Sequence, residues 1–250
     1  MTTERNATIG HVLPFALWVG MIFLVQSLEQ VSGYSRLWLP ICYALKTVAC
    51  AGLFLWFKPW RYYPAFKLEQ LPVTLVAGLG VATLWILPET PWVHRWSPAF
   101  VEFYHRWCIL MPGTLPDYFD PQRFPALPPN HPSLAYSPAE AGWFLTIMKI
   151  VGSAGVIAVI EEFFFRGFFY RWLRQTKFWA LSLAYEAQSF WVVAGVFALE
   201  HDRWLGGLMA GVVYGLLAVR MGIWSAALAH VVTNFVLALY VVLSGQYGFW

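Results

Sequence analysis

Charge is what this sequence has least of. Asp, Glu, Lys and Arg make up 12% of its 250 residues, about half the share found in ordinary soluble domains, and the net charge of +3 is dispersed. No basic stripe with interleaved aromatics is present, so nucleic acid is not an expected partner. Cysteine is nearly as scarce. Cys42, Cys50 and Cys108 are an odd count without CxxC or Cys/His ligand spacing, which offers neither a disulfide framework nor a metal motif. HExxH is absent as well, and no internal repeat or low-complexity tract interrupts the chain.

What fills the space is apolar. Hydrophobic residues reach 59%, with fifteen Trp and twelve Tyr, rings that favour the membrane–water interface. Apolar runs at approximately 12–25, 37–57, 71–87, 143–173, 179–199, 205–219 and 223–243 are mostly of a length that crosses a bilayer core of about 30 Å as helix. The expectation is an all-α, polytopic transmembrane helical bundle of seven to eight spans. The run at 143–173 is too long for one straight span, so either an interfacial turn at Gly152 or Gly155 or projection beyond the bilayer is expected. Residues 88–141 hold eleven of the sixteen prolines, which excludes continuous helix there. That stretch reads as a long Pro-rich extramembrane loop, extended from Pro125 to Pro132, with a short helix around 100–110.

The chain therefore divides into N-terminal transmembrane helices (1–87), the loop (88–141) and a C-terminal transmembrane helical domain (142–250). Arg5, Lys58, Arg61, Lys67, Arg171, Arg174, Lys177 and Arg220 fall on one side of a seven-span topology, while Arg36, Arg95, Arg106, Arg123 and Arg203 fall on the other. Positive residues accumulate on the cytoplasmic side, which predicts a cytoplasmic N-terminus. Gly207, Gly211 and Gly215 recur every four residues and mark a face for close helix packing.

The chemistry sits in three short stretches. Val159-Ile-Glu-Glu-Phe-Phe-Phe-Arg166 puts two carboxylates and a guanidinium into apolar surroundings, where each charge is costly unless paired. Glu162 and Arg166 are spaced i, i+4 and can pair along one face, leaving Glu161 about 100° away and free to act. Phe197-Ala-Leu-Glu-His201 and His230-Val-Val-Thr-Asn234 supply two imidazoles and an amide. Taken singly, each is as readily a hydrogen-bonded core group, and the charged stretch as readily a buried ion cluster that locks helices. Taken together they are expected to face one hydrated cavity. Peptide hydrolysis needs a proton acceptor, an activated nucleophile and donors for an oxyanion. Glu161 and His201 can activate water, while His230 and Asn234 can donate to the oxyanion. Two His and a Glu also form a familiar zinc set, and a zinc-dependent membrane protease stays open, ranked below a metal-free mechanism.

With these residues in place, the chain resembles the CPBP or ABI family of membrane proteases, which includes the CAAX prenyl endopeptidases and bacterial self-immunity proteins. The likeness rests on EExxxR at Glu161-Glu162 to Arg166, FxxxH at Phe197 to His201 and HxxxN at His230 to Asn234. The resemblance implies an all-helical intramembrane protease of a bacterial cytoplasmic membrane. Glu161 would be its base, His201 the base's partner, and His230 with Asn234 the stabilisers, supported by Glu162 and Arg166. No cofactor is implied. The partners implied are the lipid bilayer and a membrane-anchored or membrane-spanning protein substrate. The stretch between Arg166 and His201 is a few residues long for the family, and the Pro-rich loop is not a general family feature, which leaves the substrate open. The rivals from other classes are a non-enzymatic membrane immunity or assembly factor and an ion-coupled transporter.

Overall fold

A backbone that crosses lipid has to satisfy its own N–H and C=O groups, so the apolar runs have only the helix open to them. The computed structural model describes residues 3–31, 36–113, 115–116, 119 and 127–250, and among these every regular element is helical. The helices are α1 (Thr3–Val31), α2 (Trp38–Phe57), α3 (Leu71–Ile86), α4 (Pro91–Trp96), α5 (Pro98–Cys108), α6 (Pro138–Trp172), α7 (Ala187–Leu199), α8 (Trp204–Met221) and α9 (Ile223–Ser244).

Among the described residues six helical stretches are long and apolar enough to cross a membrane: Arg5–Ser27, Trp38–Phe57, Leu68–Glu89, Pro138–Trp172, Trp204–Met221 and Ile223–Ser244. The protein is an integral membrane protein. Its outward faces carry bare apolar side chains such as Phe23, Trp56 and Leu243, the last 83% exposed, as a lipid solvent permits. The fifth apolar run, 179–199, behaves differently. Only the 13 residues of α7 are helical beyond a single 3-10 turn at Phe178–Ala180, and 13 residues reach about 20 Å, short of a full core.

The long run at 143–173 resolves as one helix without the expected turn at Gly152 or Gly155, so no eighth span forms there. At 35 residues, α6 is about 50 Å long and projects beyond a core of about 30 Å. Gly152 serves packing instead of turning: a Cβ there would meet Thr47 Oγ1 and, at 2.6 Å, Tyr43 Cε1. The strand of backbone widens rather than breaks, as two π-helical segments, Val151–Ile157 and Phe163–Phe169, flank the α-helical turn Ala158–Glu162. The real break is earlier, at Gly142, whose φ of 75° only glycine adopts without strain.

Two aromatic-rich cores hold the bundle. Trp18, Tyr43, Phe54 and Phe163 join α1 and α2 to α6, while Phe165, Phe197, Tyr214 and Ala229 join α6 to α7, α8 and α9. The glycine stripe lies against α7: Cβ atoms on Gly207 and Gly211 would come within 3.0 and 3.2 Å of the Ala198 and Ala194 backbones. α3 is seated as closely on α9, since a Cβ on Gly78 would fall 2.6 Å from the Ala229 carbonyl.

The Pro-rich segment carries the expected short helix as α5, preceded by α4. Its Pro125–Pro132 stretch is described from residue 127 onward; residues 125 and 126, like Arg123, lie outside the described residues. Pro132 itself opens a 3-10 turn through Tyr136, so the end of that stretch is wound and not extended. Arg171 donates to the Tyr63 hydroxyl and to the Leu181 carbonyl.

Candidate active site

Between its two π-helical segments, α6 turns Glu161 and Glu162 inward. Glu162 is fully buried and Arg166, one turn on, is 2% exposed. Arg166 Nη1 donates to Glu162 Oε1 at 3.0 Å, its Nη2 donates to the Gly211 carbonyl at 3.0 Å, and its guanidinium lies 4.4 Å from the Phe197 ring centroid. The i, i+4 pair expected from spacing is formed, and the glycine stripe of α8 supplies its backbone acceptor.

His230 comes to this pair from α9. Its Nδ1 is 3.0 Å from Glu162 Oε1, and its Nε2 is 3.7 Å from Glu161 Oε2. The ring is stacked on Tyr214 at 4.7 Å between centroids. The Tyr214 hydroxyl donates to Thr233 Oγ1 at 2.7 Å, and Thr233 donates to the Gly78 carbonyl at 2.8 Å. One imidazole is thereby clasped between two carboxylates and fixed in plane by a tyrosine. Glu161 makes no hydrogen bond with any described residue, in contrast to Glu162, whose Oε1 takes bonds from both Arg166 and His230.

His201 stands in the turn between α7 and α8. Its Nδ1 is 2.8 Å from the Phe197 carbonyl, and because a carbonyl only accepts, Nδ1 carries the proton and Nε2 is left as the basic nitrogen. Desolvation lowers this imidazole to about 4, against the upward pull of the Phe197 hydrogen bond, so it is neutral at pH 7. Trp85 of α3 meets the ring edge-on at 5.4 Å. Asn234, one turn beyond His230, donates to the Ser153 carbonyl at 2.9 Å, inside the first π-helical segment. One amide hydrogen is spent there and the other is left.

His201, His230 and Asn234 line one cavity of about 290 Å³, walled also by Trp85, Lys149 and Trp250. Glu161 adjoins it through His230. Among the described residues no group of three or more His, Cys, Asp or Glu is placed to hold a metal ion.

Several participants escaped the sequence reading. Tyr214 and Thr233 hold His230 and α3 together, and Ser153 orients Asn234 through its backbone; Tyr214 and Ser153 lie outside the three motifs, and Thr233 is an unassigned position within the last. Tyr214 sits beside Gly215 in the glycine stripe, which was the one signal that this helix face is tightly packed. Further buried polar groups lie outside the motifs. His11 is 1% exposed within α1 and contacts Tyr63 Oη at 2.8 Å. Arg203, at the start of α8, and His105, in α5 of the segment read as a loop, converge on Glu89: both Arg203 Nε and Nη2 face its carboxylate, the latter at 3.0 Å, and His105 Nε2 lies 3.4 Å away. Arg203 also donates to the Gly248 carbonyl at 3.1 Å.

Compared with known proteins, residues 143–236 match the family model for type II CAAX prenyl endopeptidase, Rce1-like. No curated protein and no solved structure matches the chain. Glu161, Glu162, Arg166, His201, His230 and Asn234 all fall within the matched segment, whose family is one that the three motifs resemble.

Proposed function

We propose that the chain is a membrane-embedded endopeptidase of the CAAX type that hydrolyses a peptide bond of a membrane-anchored or membrane-spanning protein, with a glutamate as its base. The observation that carries this reading is the contrast within Glu161-Glu162. Glu162 Oε1 is held by both Arg166 and His230, while Glu161 makes no hydrogen bond with any described residue and lies 3.7 Å from a histidine on the cavity wall.

The chemistry needs no covalent intermediate. A water in the cavity gives its proton to Glu161 as its oxygen attacks the scissile carbonyl carbon, and the basic Nε2 of His201 accepts the water's other hydrogen bond and aims its lone pair. The carbonyl oxygen becomes an oxyanion. The remaining Asn234 N–H is one donor, and His230 Nε2 becomes the other by taking the proton that Glu161 drew from the water and returning it to Glu161 before collapse. Collapse breaks the C–N bond, and the proton held by Glu161 passes to the leaving amine. Glu162 and Arg166 position His230 and touch no reacting atom. Residues 142–250 carry this machinery, and the first three helices support it. The end bearing Arg5, Lys58 and Arg171 faces the cytoplasm in this reading, which opens the cavity toward the Pro-rich segment on the other side.

The test is cleavage of membrane-anchored peptides by the purified protein in lipid, together with a membrane proteome of cells carrying Glu161→Gln in place of the native chain. Cleavage is expected to vanish in Glu161→Gln and His201→Ala while both variants fold, and uncleaved precursors should accumulate in the cells. Native rates in both variants would sink the hydrolase and favour a non-enzymatic membrane factor.

A further inference from the structure

Two lysines within the spanning helices have no carboxylate to pair with. Lys46 on α2 and Lys149 on α6 both lie over the ring of Tyr43, at 4.7 and 4.2 Å from its centroid, and Lys46 also lies 4.1 Å from that of Trp18. Ring faces replace part of an ammonium's lost hydration. They do not supply the counter-charge that a cation at membrane depth calls for. Lys149 faces the cavity already described. Lys46, 7% exposed, makes no hydrogen bond or ion pair with any described residue and faces somewhere else.

That other place is a groove of about 170 Å³ between α1 and α2. Ile22, Val25 and Leu39 make its walls apolar, Tyr136 closes one side, and Lys46 is its one cation. The groove lies on the lipid-facing surface, next to the bare Phe23 and Leu45. Lys46 is eight residues from the start of α2 at Trp38, about 12 Å along the axis, and helical side chains lean toward the N-terminus, which lifts its ammonium toward the interface. Arg36 adds positive charge at the rim, where it donates to the Pro129 and His131 carbonyls at 3.2 and 3.0 Å.

We propose that this groove binds an anionic phospholipid, its phosphate against Lys46 and an acyl chain along α1 and α2. Basic pockets between membrane helices select anionic headgroups in this way. A free phosphate ester would meet the same ammonium but leave the apolar walls uncovered, so the lipid is the occupant that uses the whole groove. Bound there, it braces Tyr43 and the Trp18 contact between α1 and α2.

The full-length protein in neutral detergent is titrated with phosphatidylglycerol, phosphatidylcholine or glycerol 3-phosphate, and the thermal unfolding midpoint is recorded. Phosphatidylglycerol should raise the midpoint by several degrees more than either of the others. Lys46→Met should abolish the difference between the two lipids, and Lys46→Arg should keep it. Ile22→Trp, which fills the groove from the lipid side with the lysine intact, should abolish it too, and decides the matter alone if Lys46→Met does not fold. Equal shifts from both lipids, an equal shift from glycerol 3-phosphate, or a difference that survives Ile22→Trp or a folded Lys46→Met would overturn the proposal. None of these readouts involves peptide cleavage, so the outcome is independent of the proposed activity.

Discussion

Glu162, Arg166 and His230 meet inside the bundle; Glu89, Arg203 and His105 meet at its rim. The two clusters are built from the same three side chains, and both are buried. The inner one draws two members from a single helix turn and the third from α9. The outer one ties the 3-10 turn after α3, the amphipathic α5 and the turn before α8 into one clamp, reinforced where Trp204 Nε1 donates to the Trp107 carbonyl at 2.7 Å. A Glu–Arg–His set therefore says nothing by itself about catalysis. The inner cluster differs because a second carboxylate, Glu161, is held next to the histidine without hydrogen bonds of its own, beside a cavity with another imidazole. The outer cluster has no such spare base.

The largest expected effect exploits that difference. Glu161→Gln should reduce cleavage by about 10²- to 10⁴-fold, the usual worth of a positioned acid–base group, with an unchanged melting temperature because no hydrogen bond is lost. Glu89→Gln should do the converse. It removes the buried carboxylate that faces the Arg203 guanidinium, and breaking such a pair costs about 3–5 kcal/mol of stability, while the cleavage rate per folded molecule stays near native. Thermal unfolding and peptide cleavage measured on both variants decide it. If Glu89→Gln instead abolished cleavage in a fully folded protein, the division between a chemical and a structural cluster would fail.

A subtler probe uses acid. Desolvation holds the His105 imidazole below its ordinary value of 6.5, with the Glu89 carboxylate opposing and Arg203 and His94 adding to the shift. A histidine that resists protonation in the fold stabilises it only while the imidazole is neutral. Below pH about 6.5 the unfolded chain binds the proton more readily, so stability should fall with decreasing pH by at most about 1.4 kcal/mol per unit. His105→Gln should flatten this slope, and Glu89→Gln should steepen it by removing the one influence that favours the proton. Unfolding midpoints between pH 7.5 and 5, roughly that span, give the comparison. A slope unchanged in His105→Gln would assign it to another group.

The two clusters were not equally legible. The Glu162–Arg166 pair follows from four-residue spacing, because both residues share one helix and local geometry is enough. The meeting of that pair with His230 does not follow from spacing, since Glu162 and His230 are 68 positions apart; the motif resemblance brought them together. Nothing announced Glu89, Arg203 and His105, which are joined by tertiary folding of irregular segments with no period to read. The spans were legible as apolar runs. The continuity of α6 was not, because glycine inside a long run signals either a turn or a close contact, and only the position of Tyr43 and Thr47 decides which.

The smallest expected effect tests what sets the rim clamp in place. Thr90 directly follows Glu89 and caps α4: its Oγ1 accepts from Val93 N at 3.3 Å and donates to the Leu87 carbonyl at 3.0 Å, with Pro91 opening the helix. Loss of such a cap costs about 1 kcal/mol, well below the cost of unpairing Arg203. Thr90→Ala should therefore lower the melting temperature slightly, and Thr90→Ser should restore it. The acid slope should be untouched by either, because Glu89 is held by Arg203 and not by the cap. A slope that disappeared along with the cap would mean that the entry of the chain into α4, and not the ion pair, positions Glu89 against His105.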